Sequence, residues 1–506
     1  MSELFQNLSE GIAAASGAQA LLYLSLGTLL GILIGAAPGI GPTIGMAVML
    51  PVAVRLSPEN AVFLLVSITV GAAFGNSLTS ILVGVPGSPA ALLTVVEGHP
   101  LHLRGEGGRA LQIALVSSVL GQLAGVILFI AFVVPLANIA VRLLLPEQFG
   151  IVMFGIVTAA GLVTRSPWKG IAAIALGLLL AIPGQDAITG QSRFTFGWGY
   201  LQSGLPEIPV IMGLLAFKEI FAAAAKGPSA FEIRERPEFK FQPWLPGRDW
   251  RAITIPVIVG TTAGLIIGIV PGAGAMVGSF VAYQAIKMLL RRHTDWGRGS
   301  IAGLAAVDSA QNSGTTGELI PTLALGIPGA PAMVILMAAL ATQGIYAGPQ
   351  LARDRPELLY NVFGGLLIGV LLLAVLGYAS ISPAIYLSTV SPAVTMALTM
   401  VLIVVGSFAL RWQLLDVWMS IGFGLLAYFL ERYGYPIAPM ALAFILGRLL
   451  EQSLRRGLIM THGWGGFLSR PLTLALLVVA LMAFVGGIQM NRRMARRAAQ
   501  DSALRP

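Results

Sequence analysis

The chain of 506 residues contains no cysteine. That absence excludes disulfides, zinc–thiolate centres and cysteine nucleophiles. Charge is scarce as well: Asp, Glu, Lys and Arg make up 10% of the residues, against about 25% in a typical soluble chain. A globular interior needs a polar shell, so this composition excludes a soluble fold of two or three domains. Histidine is limited to His99, His102, His293 and His462. All lie in or beside polar stretches, where a solvated ring is the ordinary state, and no metal centre is expected. No glycine-rich loop ending in Lys-Ser or Lys-Thr occurs, which excludes the usual nucleotide-phosphate cradle. Met1–Gly11 lacks the basic cluster of a cleaved signal peptide, so the first apolar stretch reads as a retained membrane helix.

Apolar sequence is abundant: 56% of the residues are hydrophobic and the mean hydropathy is +0.84. Runs of spanning length recur at Ile253–Ile269, Leu358–Leu376, Val394–Phe408, Leu414–Leu430 and Leu472–Met490. About 20 apolar residues cross a bilayer core. The fold class expected is therefore an all-α integral membrane protein with about 10–12 transmembrane helices.

The formal net charge of +9 is carried by short clusters: Lys226–Arg251, Arg291 with Arg292 and Arg298, Arg455 with Arg456, and Arg492–Arg497. Placement in loops and tail follows the positive-inside rule and gives no reason to expect nucleic acid as a partner. The longest internal polar stretch, residues 226–251, reads as a cytoplasmic linker. The resulting organisation is a first membrane repeat over 1–225, a second over 252–470, and a final helix with a basic, cytoplasmic tail over 471–506. Arg104 and Arg109 fall in a polar loop and are expected at the membrane interface, and Asp186 and Arg193, in the loop Gly184–Leu205, are expected to be exposed at the surface.

The two halves share motifs. Pro38-Gly39-Ile40-Gly41-Pro42 answers to Pro271-Gly272-Ala273-Gly274-Ala275, Asn76-Ser77 to Asn312-Ser313, and Pro86-Gly87 to Pro328-Gly329, at offsets of 233, 236 and 242 residues. The segment before the first apolar run has two glutamates and no basic residue, which suits the outside; the linker suits the inside. Together these readings make the halves inverted repeats, a common build of secondary transporters.

Proline removes a backbone donor and glycine frees the backbone. In hydrocarbon such breaks survive only where they face protein or a water-lined cavity. Paired breaks at Pro38, Gly39, Gly41, Pro42, Pro271, Gly272 and Gly274 are therefore read as helix-break and gating elements beside a midplane site. Asn76, Ser77, Thr79, Ser80, Pro86 and Gly87 would supply one side of that site. Gln311, Asn312, Ser313, Thr315, Thr316, Pro328 and Gly329 would supply the other. Hydroxyls, amides and helix N-termini suit a carboxylate, and oxygen atoms suit a sodium ion near Asn76 and Asn312. Asp308 and Glu318 are the candidates for ion coupling, since an ionisable group at membrane depth is functional by default.

These residues resemble the large permease subunit of tripartite tricarboxylate transporters, the TctA family. The resemblance covers nearly the whole chain. It rests on Pro38-Gly39-Ile40-Gly41-Pro42, Gly75-Asn76-Ser77 with Ile81-Leu82 and Pro86-Gly87, Glu97-Gly98-His99-Pro100, Pro271–Ala275, and Ile320–Gly329. Pro436, Pro439, Leu446-Gly447 and Glu451 match the closing segment. The resemblance implies a multi-pass permease of a bacterial inner membrane that takes organic carboxylates, tricarboxylate or dicarboxylate, from a periplasmic solute-binding protein. It also implies a small membrane subunit of about four helices as a partner, no cofactor, no catalysis, and symport driven by Na+ or, alternatively, H+. Family members usually read Gly-Gly-Ser at Gly75-Asn76-Ser77, Asp-Gly-Tyr-Pro at Glu97–Pro100, and Glu-Ala-Ala-Asn-Asn-Ala at Asp308–Ser313. Two of these departures fall in the candidate site and leave the particular carboxylate open.

A transporter acting without a binding protein, or on another small solute, is the alternative within transport. A membrane-embedded enzyme would need clustered acidic residues or a His/Asp constellation at membrane depth, which the chain lacks. A scaffold would leave the repeated helix breaks without a purpose.

Overall fold

The computed structural model describes residues 2–37, 41–84, 86–140, 144–163, 166–186, 188–225, 245–271, 274–290, 295–383, 392–482 and 484–486. Pro38, Gly39 and Gly272, most of the linker (226–244) and the basic tail (492–497) lie outside the described residues.

The first half contains α1 (Ser2–Ala15), α2 (Ala18–Gly35), α3 (Gly41–Ala53), α4 (Pro58–Val83), α5 (Leu92–Leu101), α6 (Gly107–Ala140), α7 (Leu145–Val163), α8 (Pro167–Ala181), α9 (Glu207–Met212) and α10 (Lys218–Ala225). The second contains α11 (Gly247–Gly268), α12 (Gly274–Leu289), α13 (Ile301–Leu325), α14 (Pro331–Thr342), α15 (Pro349–Asp354), α16 (Pro356–Ile381), α17 (Pro392–Arg411), α18 (Leu414–Arg432), α19 (Ile437–Met460) and α20 (Trp464–Leu468). The sheet among the described residues is a ribbon pairing Gly184–Gln185 with Ser192–Arg193. Among the described residues, eight helices are long and apolar enough to cross a membrane, and the chain is an all-α membrane protein. Shorter apolar helices such as α3 and α14, of 13 and 12 residues, reach about 20 Å and cannot cross a core of about 30 Å alone.

Two local expectations changed. Ser2–Ala15, read from its charge as a segment before the first helix, is itself helical and packs along α16. Gly247–Arg251, the end of the expected linker, forms the first turns of α11.

Small residues set how the helices meet. Gly27, Gly31 and Gly35 of α2 rest on the backbone of Leu64, Ile68 and Ala72 in α4. Gly260, Gly264 and Gly268 of α11 rest in the same way on Ala306, Ala310 and Gly314 of α13. A glycine every fourth residue lies along one stripe of a helix and lets backbones approach closely, the packing that membrane helices favour. Gly121 and Gly125 bring α6 against α13 as well, at Ser309 and Ser313. As a result α4 and α13 are sheathed by protein, with Ala61–Leu82 and Ala302–Ala324 buried throughout.

Local geometry recurs between the halves. Ser57 and Ser300 cap α4 and α13, each accepting a backbone N–H three residues on. Gly84 (φ 71°, ψ 23°) and Gly326 (φ 72°, ψ 24°) end those helices in the left-handed region that glycine alone enters without strain. Ser88 (φ −144°, ψ 165°) and Ala330 (φ −148°, ψ 166°) then start the next helical segments. All these pairs, like Gly87 and Gly329, are 242 or 243 residues apart. The residues of α4 that meet α2 and those of α13 that meet α11 keep the same spacing. In that register Asn76 stands opposite Glu318, and Asn312 opposite Val70. Matching Asn76 to Asn312 by letters therefore misplaces the second cluster by six residues, because a short polar word slides along a helix while caps and close contacts cannot.

Candidate functional site

The site grows from α4 and α13. The Ser77 hydroxyl donates to Asp308 Oδ1 at 2.5 Å, joining the halves. Thr94 of α5 donates to the same oxygen at 3.4 Å and accepts from Gln311 Nε2 at 3.0 Å. Asn76 Nδ2 donates to Ser88 Oγ at 2.9 Å, tying α4 to the loop after Pro86-Gly87. A Cβ on Gly87 would lie 2.5 Å from both Asn76 Oδ1 and the Gly35 carbonyl oxygen, so glycine is what allows this approach.

Glu318 occupies the corresponding place in the second half. Its Oε1 accepts from the Ala275 backbone N–H at 2.8 Å, at the N-terminus of α12. A carboxylate there answers the positive end of the helix dipole. Gly329 abuts the Glu318 backbone as Gly87 abuts Asn76, and its N–H donates to Thr322 Oγ1 at 3.1 Å.

Asp308 is fully buried and Glu318 nearly so, at 6% exposure. Among the described residues neither carboxylate has an ion-pair partner. Five buried side-chain oxygens of α4 and α13, Asn76 Oδ1, Ser80 Oγ, Asp308 Oδ2, Gln311 Oε1 and Asn312 Oδ1, also lack a hydrogen-bond partner among the described residues. Unsatisfied buried acceptors are rare in folded proteins and each needs a reason. Four of the five carry no proton when the carboxylate is ionised and can only accept, so the set is suited to a cation or a proton donor.

Other expected site residues are used differently. Thr79 donates to the Ala36 carbonyl at 2.8 Å, satisfying the end of α2 beside the break. Ser313, Thr315 and Thr316 turn their hydroxyls back to carbonyls of α13, and Asn312 Nδ2 donates to the Asp308 carbonyl at 3.0 Å. Such back-bonding satisfies these donors within the helix. Pro271 and Pro328 are buried, and Gly41 and Gly274 adopt φ 60° and 59° where α3 and α12 begin. The Pro89–Ala91 turn packs on α12 and α13, while α14 packs on α3 and α4, so each break region touches the opposite half.

Sequence reading missed Thr94, Ser88 and the cluster around Glu97. Glu97, buried on α5, accepts from Tyr283 Oη at 2.5 Å and from the backbone N–H groups of Gly297 (2.7 Å), Gly299 (3.1 Å) and Ser300 (2.8 Å). It therefore holds the N-terminus of α13 from the other half. Its partners lie about 200 residues away, and no local signal announces them. Arg109 is likewise a clasp, bidentate to Asp249 at 2.7 and 2.6 Å. Arg193 and Asp186, expected at the surface, pair with Glu451 and Arg455 across 2.8 and 2.6 Å, and Asp186 is buried.

A family model described as the tripartite tricarboxylate transporter TctA family matches residues 21–442. The chain belongs to that family. TctA-family membership makes it a secondary transporter of the tripartite type, and both Pro86-Gly87 and Pro328-Gly329 lie within the matched span. Among its relatives is an "uncharacterized 52.8 kDa protein in TAR-I ttuC' 3'region" of Agrobacterium vitis, 34% identical over 486 residues and 96% of each chain. An "uncharacterized protein in TAR-II ttuC' 3'region" of the same organism is 32% identical over 223 residues, 44% of this chain and 92% of the relative. No solved structure matches this TctA-family chain.

Proposed function

We propose that this protein imports an organic carboxylate, a tricarboxylate or dicarboxylate, by alternating access driven by an ion gradient. The substrate is handed over by a periplasmic solute-binding protein, and a small membrane subunit of about four helices works beside the permease in a bacterial inner membrane. The two halves act as inverted repeats, with the breaks at Pro38-Gly39, Gly41-Pro42, Pro271-Gly272 and Gly274 as the moving elements. Cargo sits between the Pro86-Gly87 and Pro328-Gly329 regions, where Asn76, Ser80 and the break backbones supply donors.

One observation carries the ion coupling: Asp308 is buried without a counter-charge among the described residues, against Ser77 of the other half. An isolated ionised carboxylate at such depth is costly, so it must be neutralised by a cation or a proton. Na+ held by Asp308, Asn312, Gln311 and Asn76 is the reading the oxygen-rich set favours, with H+ on Asp308 as the alternative.

The test is uptake of radiolabelled citrate and succinate into proteoliposomes containing the purified permease and small subunit, with and without the binding protein. A Na+ gradient and a pH gradient are imposed separately. Uptake that needs the binding protein and one gradient is expected. Asn76→Ala and Asn312→Ala should abolish it in protein that still folds and inserts. Wild-type uptake by both variants would remove them from the site, and uptake without any gradient would remove the coupling.

A further inference from the structure

A cavity of about 500 Å3 lies between the α3–α4 turn, the C-terminal end of α14, the chain entering α9, and α19. That volume accommodates a small organic ligand. Its lining holds three guanidinium groups, Arg55, Arg411 and Arg448, and one carboxylate, Glu207; with Asp416, which pairs with Arg411, counted as well, the cations still outnumber the carboxylates by one. All three arginines are solvent-exposed and none is a lysine. Guanidinium is the planar, weakly hydrated cation that binds carboxylates through paired hydrogen bonds.

The fold holds these groups in place. Arg411 is fixed by Asp416 at 2.9 and 2.5 Å and lies 4.8 Å from the centroid of the Tyr200 ring. Arg448 donates to the Ser203 carbonyl at 2.9 Å. The turn that carries Arg55 is tied to the end of α14, where Gln343 Nε2 donates to the Leu56 carbonyl at 3.3 Å. The cavity also has a defined end of the molecule. Asp416 is in the first turn of α18, while Glu431, in its last turn, pairs with Lys218 of α10 at 2.8 Å. Those residues are about 22 Å apart along α18, and α10 leads into the basic linker. The cavity therefore opens at the end of α18 opposite the linker, which is the outer side if the linker is inside.

We propose that this cavity is a capture site for anions bearing two or more carboxylates, separate from the buried site at Ser77 and Asp308. Its arginines concentrate and orient the anion at the face where it arrives, before it reaches the break regions. Capture of this kind depends on the cavity lining alone and does not need the buried site to be correctly assigned.

The absence of native cysteine gives a direct test. Thr342, exposed at the rim, is replaced in Thr342→Cys, and its rates of modification by an anionic (sulfonatoethyl) and a cationic (trimethylammonioethyl) methanethiosulfonate are compared. Relative to free cysteine, the anionic reagent should be favoured about tenfold or more, the size of effect a focused field gives. Adding Arg55→Gln and Arg448→Gln should bring the ratio back toward that of free cysteine, and citrate should slow the anionic reagent in the Thr342→Cys parent. No preference in the parent, a preference that survives loss of both arginines, or no slowing by citrate overturns the proposal. If the double variant fails to fold, the parent's preference and citrate protection decide. Failure of the transport reading would appear instead as absent uptake with this reagent preference intact.

Discussion

Ser77 of the first half and Asp308 of the second share a hydrogen bond of 2.5 Å across 231 positions of sequence. It places the most deeply buried uncompensated carboxylate of α13 on the seam between the halves, where a change in their relative position would alter its surroundings. Asp308→Asn keeps shape and the acceptor for Ser77 while removing the charge. Replacing an unpaired buried charge by a neutral group should leave the unfolding temperature unchanged or raised. Gradient-driven accumulation of labelled citrate should fall to the level of passive equilibration. Accumulation at the wild-type level would exclude Asp308 from coupling.

The glycine stripes should tolerate no side chain. A methyl at Gly31 would run into the Ile68 carbonyl oxygen, and one at Gly264 into the Ala310 carbonyl oxygen and Ser313 Oγ. Each Gly→Ala change should cost about 1–3 kcal/mol, the range for overpacking, read as an earlier thermal transition in detergent. A methyl at Gly369 in α16 would meet nothing within 4 Å, so Gly369→Ala is the matched control and should show no loss.

Glu97 is expected to hold α13 in place. Glu97→Gln halves the acceptor capacity offered to Gly297, Gly299, Ser300 and Tyr283, and each hydrogen bond to a charged acceptor is worth about 1.5–3 kcal/mol. Deuterium exchange at the amides of residues 297–303 should speed up about tenfold or more, since local opening sets that rate. Unchanged exchange would show that the helix start is held by its Ser300 cap alone.

The Arg455 guanidinium, with the Thr189 and Ile188 amides, holds the Asp186 carboxyl well below the usual carboxylate range. A depressed folded-state value means that the stabilisation is present above the unfolded value, about 3.9, and is lost as pH falls through the folded one. Asp186→Asn should therefore lower the unfolding temperature near neutral pH, with the difference from wild type shrinking below about pH 4. The pH dependence of uptake between pH 5 and 8 should be the same in both proteins; a changed profile would mean that Asp186 titrates in that range.

Much of this was legible in the chain. The Pro-Gly words at Pro86-Gly87 and Pro328-Gly329 fall between helices, as their backbone chemistry in hydrocarbon implies, whereas Pro51, Pro135, Pro256 and Pro321 stay inside continuous helices. Gly84, Gly326, Ser57 and Ser300 then ended and began the helices as their conformational preferences require. The α13 segment was harder to read as a membrane element. Its Asp308–Glu318 stretch is polar, and only its enclosure by α6, α11 and α12 makes it acceptable there.

Composition and charge placement by themselves determined a multi-pass helical membrane protein, since these follow from each residue's own chemistry in water or lipid; the tripartite transporter kind came from the resemblance of its motifs to that family. Tertiary structure alone decided that Asn76 corresponds to Glu318, that Asp308 meets Ser77 and Thr94, that Glu97 clasps α13, and that three arginines share one cavity. Those facts depend on which distant segments touch, and contact between residues hundreds of positions apart is set by helix packing that no local pattern encodes.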